Sequence, residues 1–395
     1  MLCYADWKGS NVVGDARKLQ IGIIGGGFMA AVHSRAATTA GAELAKIASS
    51  TPVKGEAAAK ELGFRSAASD GLALIADPSI DVVHICTPNA THQPLAWAAI
   101  QAGKHVVCEK PLATDSALAG SLALEAAARG VVAAVPFVYR FHPMVREARA
   151  RISAGGVGAV STIIGHYLQD WLLTPGDNNW RVNSSSGGRS RAFADIGSHL
   201  VDLIEFVTGD YIQSLCAVTS TVHPMRSGQA VTTEDLAAVL FRLAGGATGT
   251  LLVSQVAAGH KNDLRLEIFG TEASIQFSQE QPEILQIGRR DGTEVLVRDS
   301  AVLGLDAARL SIVPPGHPMG YQDAFNGFVR DTYQAIQGPK PDGLPTFNDG
   351  ARANQITDAV LDSAHHQRWV DVAPPAPTRS AVRFHPELLK EEKYA

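Results

Sequence analysis

The stretch Ile21-Gly-Ile-Ile-Gly-Gly-Gly-Phe-Met-Ala30 decides the fold of this chain. Its apolar first half predicts a fully buried strand. Gly25, Gly27 and Ala30 then give G-x-G-x-x-A where the strand passes into a helix, which we predict from Ala30 to Ala40. The first glycine permits a tight turn, the second lets the backbone approach a pyrophosphate, and the helix amino end offers N–H groups to phosphates. Glycine clusters also form ordinary turns, but the flanking strand and helix favour a nicotinamide or flavin cofactor.

The composition is that of an ordinary globular protein with two domains. A chain of 395 residues is long for one hydrophobic core, and 46% hydrophobic with 18% charged residues is typical of globular proteins. The net charge of −5, without a basic run in the sequence, argues against a nucleic-acid partner.

The cysteines and the apolar runs predict where the protein works. Its four cysteines are scattered without the CxxC spacing of zinc sites, which indicates reduced thiols. No apolar run approaches membrane-spanning length, and the first residues do not resemble a secretion signal. We therefore expect a cytoplasmic protein with no membrane partner.

After the glycine-rich turn, predicted strands and helices alternate as in a doubly wound parallel sheet. The predicted strands are Ala42–Ser50, Ile80–Thr87, His105–Cys108 and Val131–Phe137, and the predicted helices are Lys54–Leu62, His92–Ala102 and Thr114–Arg129. Residues 87 to 92 come at the carboxyl end of a strand, where an open α/β sheet places its ligand.

The end of the second strand leaves the choice of cofactor open. An Asp or Glu there usually holds the ribose hydroxyls of NAD, whereas this chain has Ser49 and Ser50, with Lys54 shortly after. Small hydroxyls leave room for the 2′-phosphate of NADP, which Lys54 can help to neutralise. Alternatively, Lys54 is only the solvated start of a helix.

The pattern changes near Phe141. A predicted helix from Pro143 to Ala154 leads to a strand at Ala159–Tyr167, and later segments alternate apolar and polar residues as a half-exposed sheet does. Those strands are Ala237–Leu243, Thr248–Val256, Leu264–Gly270 and Ala273–Phe277, followed by helices at Gln322–Ile336 and Asn348–Gln367. We predict an α/β protein: an arm (1–18), a Rossmann domain (19–140), a substrate-binding and oligomerisation domain with an open, mainly antiparallel sheet (141–372) and a tail (373–395).

Glu109-Lys110-Pro111 directly follows the predicted strand His105–Cys108. This position holds Lys110 at the carboxyl edge of the sheet, beside the expected nicotinamide. An ammonium group there can donate to the reacting hydroxyl and stabilise alkoxide character as hydride leaves. Alternatively, Lys110 is a surface lysine that precedes a helix.

Asp195-Ile-Gly-Ser-His199 begins another predicted helix. Asp195 and His199 stand at i and i+4, so a helix stacks them on one face. Asp202 falls on the same face, and we expect it to orient the imidazole and, together with Asp195, to raise its pKa. A histidine beside a carboxylate is a usable proton acceptor near neutral pH. A capped helix start with a structural histidine is the alternative, and a metal site lacks further ligands at recognised spacing.

The segment before Asp195, with a few later residues, combines aromatic side chains with planar polar groups. Its members are Tyr167, Gln169, Asp170, Trp171, Trp180 and Arg181, with His317 and Tyr321 further on. Sugars present an apolar ring face and a fan of hydroxyls, so an aromatic platform with amide, carboxylate and guanidinium partners suits them. Each residue taken singly is as well explained by core packing or solvation.

The glycine motif, Glu109-Lys110-Pro111 and Asp195-x-Gly-x-His199, in this order and at these distances, resemble the Gfo/Idh/MocA oxidoreductases from about Leu19 to Val372. The resemblance implies a Rossmann domain, a second α/β domain whose open sheet joins subunits of a homo-oligomer, and NAD or NADP with a lean to NAD. It implies that Lys110, Asp195 and His199 are catalytic. The predicted cofactor-binding residues are Gly25, Gly27, Phe28, Met29, Ser49, Ser50, Thr87, Pro88, Asn89, His92, Glu109, Lys110 and Arg181. The predicted substrate-binding residues are Lys110, Tyr139, Tyr167, Gln169, Asp170, Trp171, Trp180, Asp195, His199 and His317.

The function predicted from these residues and the resemblance is an NAD(P)-dependent dehydrogenase. It would oxidise a ring secondary hydroxyl of a cyclic sugar, anhydrosugar or inositol, with His199 as the proton acceptor. A keto-sugar reductase would use the same residues in reverse. A dinucleotide sensor without turnover is the alternative outside enzymes, and the complete set of Lys110, Asp195 and His199 speaks against it.

Overall fold

The computed structural model describes residues 17–375. Nearly all of the predicted arm and most of the predicted tail therefore lie outside the described residues. Within these bounds the chain forms two large sheets, one parallel and one mixed, and a separate two-stranded pair. None of the helices in this range combines the length and hydropathy needed to cross a membrane.

The first sheet is the predicted Rossmann sheet. Its strands, all parallel, lie in the order β3-β2-β1-β4-β5-β6, and they are β1 (Gln20–Ile24), β2 (Glu43–Ala48), β3 (Ser66–Ala67), β4 (Val82–Ile85), β5 (His105–Cys108) and β6 (Ala133–Ala134). The helices between them are α1 (Phe28–Thr39), α2 (Pro52–Leu62), α3 (Gly71–Ala76), α4 (His92–Gln101) and α5 (Ser116–Arg129). Buried apolar side chains on both faces of β1 and β4 explain why these strands read as continuous apolar runs.

The second sheet is open and mainly antiparallel, as predicted. Its nine strands have the order β16-β15-β14-β13-β7-β12-β11-β8-β17, and of their pairings only β7 with β12 is parallel. They are β7 (Val160–Leu168), β8 (Ile212–Ser220), β11 (Leu236–Leu243), β12 (Thr248–Ser254), β13 (Asp263–Gly270), β14 (Ser274–Ser278), β15 (Ile284–Arg289), β16 (Gly292–Val297) and β17 (Val370–Asp371), while β9 (Met225–Arg226) and β10 (Gln229–Ala230) pair separately. The helices of this half are α6 (Pro143–Ser153), α7 (Ser184–Gly187), α8 (Ser198–Thr208), α9 (Leu305–Ala308), α10 (Tyr321–Gln337) and α11 (Phe347–His366).

Helix α10 lies far along the chain but packs on the Rossmann sheet. Its residues Phe325, Phe328 and Tyr333 share one buried cluster with Ile21 of β1 and Val32 of α1. Helix α8, in contrast, buries its apolar side against the inner face of the mixed sheet. The cavity described below therefore has the carboxyl edge of one sheet on one side and the other sheet on the opposite side.

Several elements differ from the sequence prediction. The predicted strand Val131–Phe137 is reduced to β6, because Phe137 and the residues after it turn into a short 3-10 segment, Val138–Phe141. Strands β8, β15 and β16 were not predicted. The helix predicted to begin near Asp195 starts instead with a π-helical turn, Phe193–Gly197, before α8.

Candidate active site

The glycine-rich turn has the shape that a dinucleotide needs. Gly25 has a φ of 117°, and a Cβ there would lie 2.5 Å from the carbonyl oxygen of Cys86, so only glycine fits. A Cβ on Gly27 would instead face open space at the amino end of α1, and no side chain caps this helix end. The first N–H groups of α1 are therefore free to bind a pyrophosphate that approaches over Gly27.

Lys110 leaves the carboxyl end of β5 and reaches across to the second half of the chain. Its Nζ lies 2.7 Å from Oδ1 of Asp195 and 2.9 Å from the backbone carbonyl oxygen of the same residue. Its neighbour Glu109 is buried and accepts a 3.1 Å hydrogen bond from His33. The strand end thus places one cation and one carboxylate side by side.

Asp195 is held by the π-helical turn and by several donors. Gln255 donates to its Oδ2 at 2.9 Å, and Nε of Arg181 lies 3.5 Å from its Oδ1. Although burial favours the neutral acid, Lys110 and Arg181 outweigh it and lower the pKa of Asp195 far below the ordinary value. Asp195 is therefore an anion, and π-helical turns of this kind are frequent at functional sites.

The glycine within Asp195-x-Gly-x-His199 has a packing reason. A Cβ on Gly197 would lie 2.6 Å from the ring of Phe193, one turn earlier. No larger residue fits while Phe193 is buried beneath the turn. Gly197 thus permits the tight packing that directs Asp195 and His199 into one cavity.

His199 is buried among aromatic rings and is neutral. Its ring centroid lies 4.9 Å from that of Tyr139 and 5.8 Å from that of Phe137. Burial lowers the pKa of His199 well below the ordinary value, Lys110 adds to this effect, and Asp195 opposes it. The sequence prediction that the pKa is raised was therefore wrong, because desolvation outweighs the carboxylate.

Asp202 does not orient the imidazole, so that prediction was also wrong. Its two carboxylate oxygens accept hydrogen bonds from the guanidinium of Arg140. The Nδ1 atom of His199 has no hydrogen-bond partner within residues 17–375. Arg140, from the 3-10 segment Val138–Phe141, pairs with Asp202 instead.

Polar and aromatic groups form the opposite wall. The hydroxyls of Tyr139 and Tyr167 are 2.5 Å apart, and the Tyr167 hydroxyl donates to Oδ1 of Asn262 at 2.7 Å. Gln169 donates to the same oxygen at 2.8 Å and accepts from the indole N–H of Trp171 at 2.8 Å. This chain of hydrogen bonds fixes a row of polar groups along the end of the mixed sheet.

These groups enclose a cavity of about 260 Å³ between the two sheets. The predicted site residues that line it are Phe28, Met29, Glu109, Lys110, Tyr139, Tyr167, Gln169, Arg181, Asp195 and His199. Its remaining lining residues are Pro136, Ile196, Asn262 and Tyr321. Tyr321, named among the sugar-contacting candidates, comes from the start of α10.

Four predicted substrate residues do not line this cavity. Asp170 accepts hydrogen bonds from Lys261 at 2.6 Å and from the backbone of Gly259, which turns its carboxylate away. Trp171 donates its indole N–H to Gln169 and does not itself line the cavity. Trp180 stacks on the guanidinium of Arg181 and faces a separate cleft, and His317 is exposed. The sequence placed Asp170, Trp171 and Trp180 in one segment but did not show which way their side chains point.

The remaining predicted cofactor residues lie around the carboxyl edge of the Rossmann sheet. Ser49 is half-buried and Ser50 is exposed at the end of β2, and Lys54 is exposed in the first turn of α2. Asn89 donates to the backbone of Gly187 at 2.8 Å. The ring nitrogens of His92 lie 2.7 Å and 2.8 Å from the carbonyl oxygens of Pro111 and Thr87, so His92 shapes the loop rather than the cavity wall. Pro88 precedes the 3-10 turn Asn89–Thr91 and does not line the cavity either.

Sequence reasoning missed Asn262 and Gln255. Asn262 precedes β13, where an asparagine is explained equally well by a turn. Gln255 is completely buried one residue after β12, a position that the sequence assigned to a strand. A polar amide within the apolar pattern of the predicted strand Thr248–Val256 was the available signal for Gln255.

The fold and the site together define a class of protein. A parallel sheet with a phosphate-binding glycine turn supplies a dinucleotide site, and its carboxyl edge opens on a cavity that holds a lysine, an ionised aspartate and a neutral histidine. Such an arrangement suits hydride transfer coupled to proton transfer. The protein is an NAD(P)-dependent oxidoreductase.

Comparisons with known proteins agree with this assignment to the NAD(P)-dependent oxidoreductases. Residues 19–137 match an oxidoreductase family with an NAD-binding Rossmann fold, and residues 145–276 match the GFO/IDH/MocA C-terminal domain. Levoglucosan dehydrogenase of Pseudarthrobacter phenanthrenivorans is 32% identical over 90% of this chain and 98% of its own length. Inositol 2-dehydrogenase of Rhizobium meliloti is 26% identical over 90% and 99%, respectively. A solved structure of levoglucosan dehydrogenase with NADH and levoglucosan is similar, with a TM-score of 0.85 and 33% identity over 90% of this chain and 100% of that one.

The chain belongs to the Gfo/Idh/MocA oxidoreductases. The family prediction made from three short motifs is thereby confirmed, as is the similarity to sugar and inositol dehydrogenases.

Proposed function

We propose that this protein oxidises a secondary hydroxyl on the ring of a cyclic sugar, anhydrosugar or inositol. The observation that carries the proposal is the placement of Lys110, Asp195 and neutral His199 around one cavity. The polar row from Tyr139 to Gln169 offers hydroxyl and amide partners for several substrate hydroxyls. The relatives named above act, by their names, on an anhydrosugar and on inositol.

The roles follow from charge and protonation. Neutral His199 has a ring nitrogen without a proton, which can accept the proton of the reacting hydroxyl. Lys110 donates to the same oxygen and stabilises the negative charge that develops there. Asp195, which also pairs with Arg181, holds the ammonium in place. The nicotinamide, when bound, accepts the hydride.

A panel of ring and linear polyols tests this function. We expect NAD(P)H to appear with at least one pyranose, anhydrosugar or inositol, and not with linear alcohols. Turnover of a short-chain hydroxy acid in place of every ring substrate would contradict the assignment. The corresponding ring ketones with NAD(P)H show whether the reductive direction is preferred.

We propose NAD rather than NADP as the cofactor. A solved relative holds NADH, and exposed Lys54 stands in the first turn of α2, as the solvated start of a helix does. Calorimetric titration with both oxidised cofactors decides between them. Tighter binding of NADP+, lost in Lys54→Ala, would overturn the proposal and identify the reason.

We propose that the outer face of the mixed sheet joins two copies of this chain. Exposed apolar side chains stand on four adjacent strands: Ile164 on β7, Leu252 on β12, Leu240 on β11 and Val218 on β8. Such a continuous apolar face is unusual on a monomer. Sedimentation should show an oligomer for the native chain and a smaller species for Leu240→Arg. A native monomer would contradict the proposal.

We also propose a cytoplasmic location. Cys86, Cys108 and Cys216 are free thiols, which fit a reducing compartment. Fractionation of cells that produce the full chain tests this, and recovery outside the cytoplasm would contradict it.

A further inference from the structure

A second set of titratable groups lies behind the candidate active site, buried between β4, α1 and α10. Nε2 of His33 lies 3.1 Å from Oε1 of Glu109, and Nδ1 of His33 lies 2.8 Å from Nδ1 of His84. Nε2 of His84 in turn lies 2.9 Å from the hydroxyl of Tyr333. Both histidines are completely buried, with 0% exposure. These hydrogen bonds form a series that begins at the cavity wall with Glu109 and passes through His33 and His84 to Tyr333 in the core.

The charge of Glu109 and the protonation of its neighbours determine which atom donates in each hydrogen bond of this series. Burial, the largest single effect, favours a neutral Glu109, but the hydrogen bond from His33 together with the charges of His33, Lys110 and His92 outweighs it and keeps the pKa of Glu109 below the ordinary value. An ionised carboxylate only accepts, so Nε2 of His33 must donate, and in a neutral His33 the other nitrogen, Nδ1, then accepts. His84 then donates from Nδ1 and accepts at Nε2, where the Tyr333 hydroxyl donates.

All three hydrogen bonds therefore point toward the carboxylate. Burial keeps the pKa of His84 well below the ordinary value and that of Tyr333 well above it. Both groups thus stay neutral as this arrangement requires. Aligned donors of this kind polarise one another and stabilise the charge at the end of the chain.

We propose that His33, His84 and Tyr333 are positioning residues that hold Glu109 as an anion, so that the site binds NAD+ in preference to NADH. The nicotinamide ring is positively charged in NAD+ and neutral in NADH. A fixed carboxylate in the wall shared with Phe28, Met29 and Lys110 stabilises the positive ring and gives nothing comparable to the neutral one. The inference goes beyond the proposed oxidation and does not depend on which hydroxyl compound is the substrate.

The test measures cofactor affinity directly, without substrate or turnover. Calorimetry gives Kd for NAD+ and for NADH, and the quantity of interest is the ratio of the two. Glu109→Gln removes the charge at nearly constant shape, and we expect the preference for NAD+ to fall by about tenfold. Titration with NADP+ and NADPH in parallel keeps this result separate from the choice between the two cofactors.

Two substitutions of His33 distinguish its role as a hydrogen-bond donor to Glu109 from its role in packing. The amide of His33→Gln can reach the position of Nε2 and still donate to Glu109, so the ratio should stay within about twofold of native. The shorter amide of His33→Asn reaches only the position of Nδ1, and we expect a fall of about fivefold. In Glu109→Gln, addition of His33→Asn should cause no further fall, because the two changes act through one charge.

Tyr333→Phe tests the last group of the hydrogen-bond series without changing a residue of the cavity wall. It removes one oxygen from a buried ring, so it should fold even if the His33 variants do not, and we expect the preference for NAD+ to fall about threefold. An unchanged ratio in Glu109→Gln or in Tyr333→Phe would overturn the proposal. Equal weakening of NAD+ and NADH in His33→Asn would also overturn it, since a purely structural role has that effect.

Discussion

Lys110 and Asp195 meet across the boundary between the two sheets, with 2.7 Å between Nζ and Oδ1. A second contact, 2.9 Å to the backbone carbonyl oxygen of Asp195, fixes the direction of the ammonium. Both side chains are about 15% exposed, so the pair is only weakly screened by solvent. Because the partners come from different parts of the fold, their meeting depends on the relative position of β5 and the turn before α8.

This contact predicts the effect of Lys110→Met. Loss of the ammonium removes stabilisation of charge that develops only in the transition state, so kcat should fall by about 100-fold or more while Kd for the cofactor changes little. Steady-state kinetics and calorimetry measure the two quantities. Lys60→Met, at an exposed position in α2, is the matched control and should be neutral. Near-native kcat in a folded Lys110→Met protein would end the assignment.

His199 predicts the acidic limb of the pH–rate profile. A proton acceptor must be neutral, and burial with Lys110 lowers the pKa of His199 below the ordinary value. The rate of oxidation should therefore fall only when the pH drops through this lowered pKa, which places the limb below about pH 6.5. The measurement is kcat/KM for oxidation across the pH range.

His199→Asn provides the check on this assignment. It should cost about 100-fold in kcat/KM and abolish the limb. A variant with native activity and an unchanged limb would show that another group accepts the proton.

The parts of the fold that local pattern determines were predicted from the sequence. Strand β5 was predicted with its observed bounds, His105–Cys108, because a short apolar run stands between turn signals. Gly103, the residue directly after the predicted helix His92–Ala102, has the positive φ of 71° that is common just past a helix end. Strand β8 was not predicted, because polar residues interrupt its alternation in Ile212–Ser220.

What the sequence could not predict was the partner of each polar side chain. Asp202 has the right spacing to face His199, but Arg140, 62 residues earlier in the chain, binds it. Asp170 stands beside two residues of the polar network, yet Lys261, 91 residues later, draws its carboxylate away. Helical spacing gives the face on which a residue stands, whereas tertiary packing decides what meets that face.

The close packing of Gly197 against Phe193 predicts that Gly197→Ala destabilises the protein, and Gly120→Ala is the control. In Gly197→Ala the new Cβ would lie 2.6 Å from the Phe193 ring, and overpacking of this kind costs about 1–3 kcal/mol. Urea denaturation should show this loss together with weakened activity, since Asp195 and His199 flank the position. Gly120→Ala lies in α5, where a Cβ meets nothing within 4 Å, and should stabilise by about 0.5–1 kcal/mol. Equal stability of the two variants would show that the turn can relax around the new methyl group.

The hydrogen bonds of Asn262 predict that its loss weakens substrate recognition and leaves cofactor binding unchanged. Its Oδ1 accepts from both Tyr167 and Gln169, so Asn262→Leu leaves two donors without their acceptor and frees both to move. We expect KM for a ring substrate to rise about tenfold or more, with Kd for the cofactor unchanged, because an unpaired buried polar group costs about 1–3 kcal/mol. Asn178→Leu, at an exposed asparagine outside the cavity, is the control and should leave KM unchanged. A rise in Kd for the cofactor equal to the rise in KM would mean that Asn262 supports the whole cavity rather than the part of it that contacts the sugar.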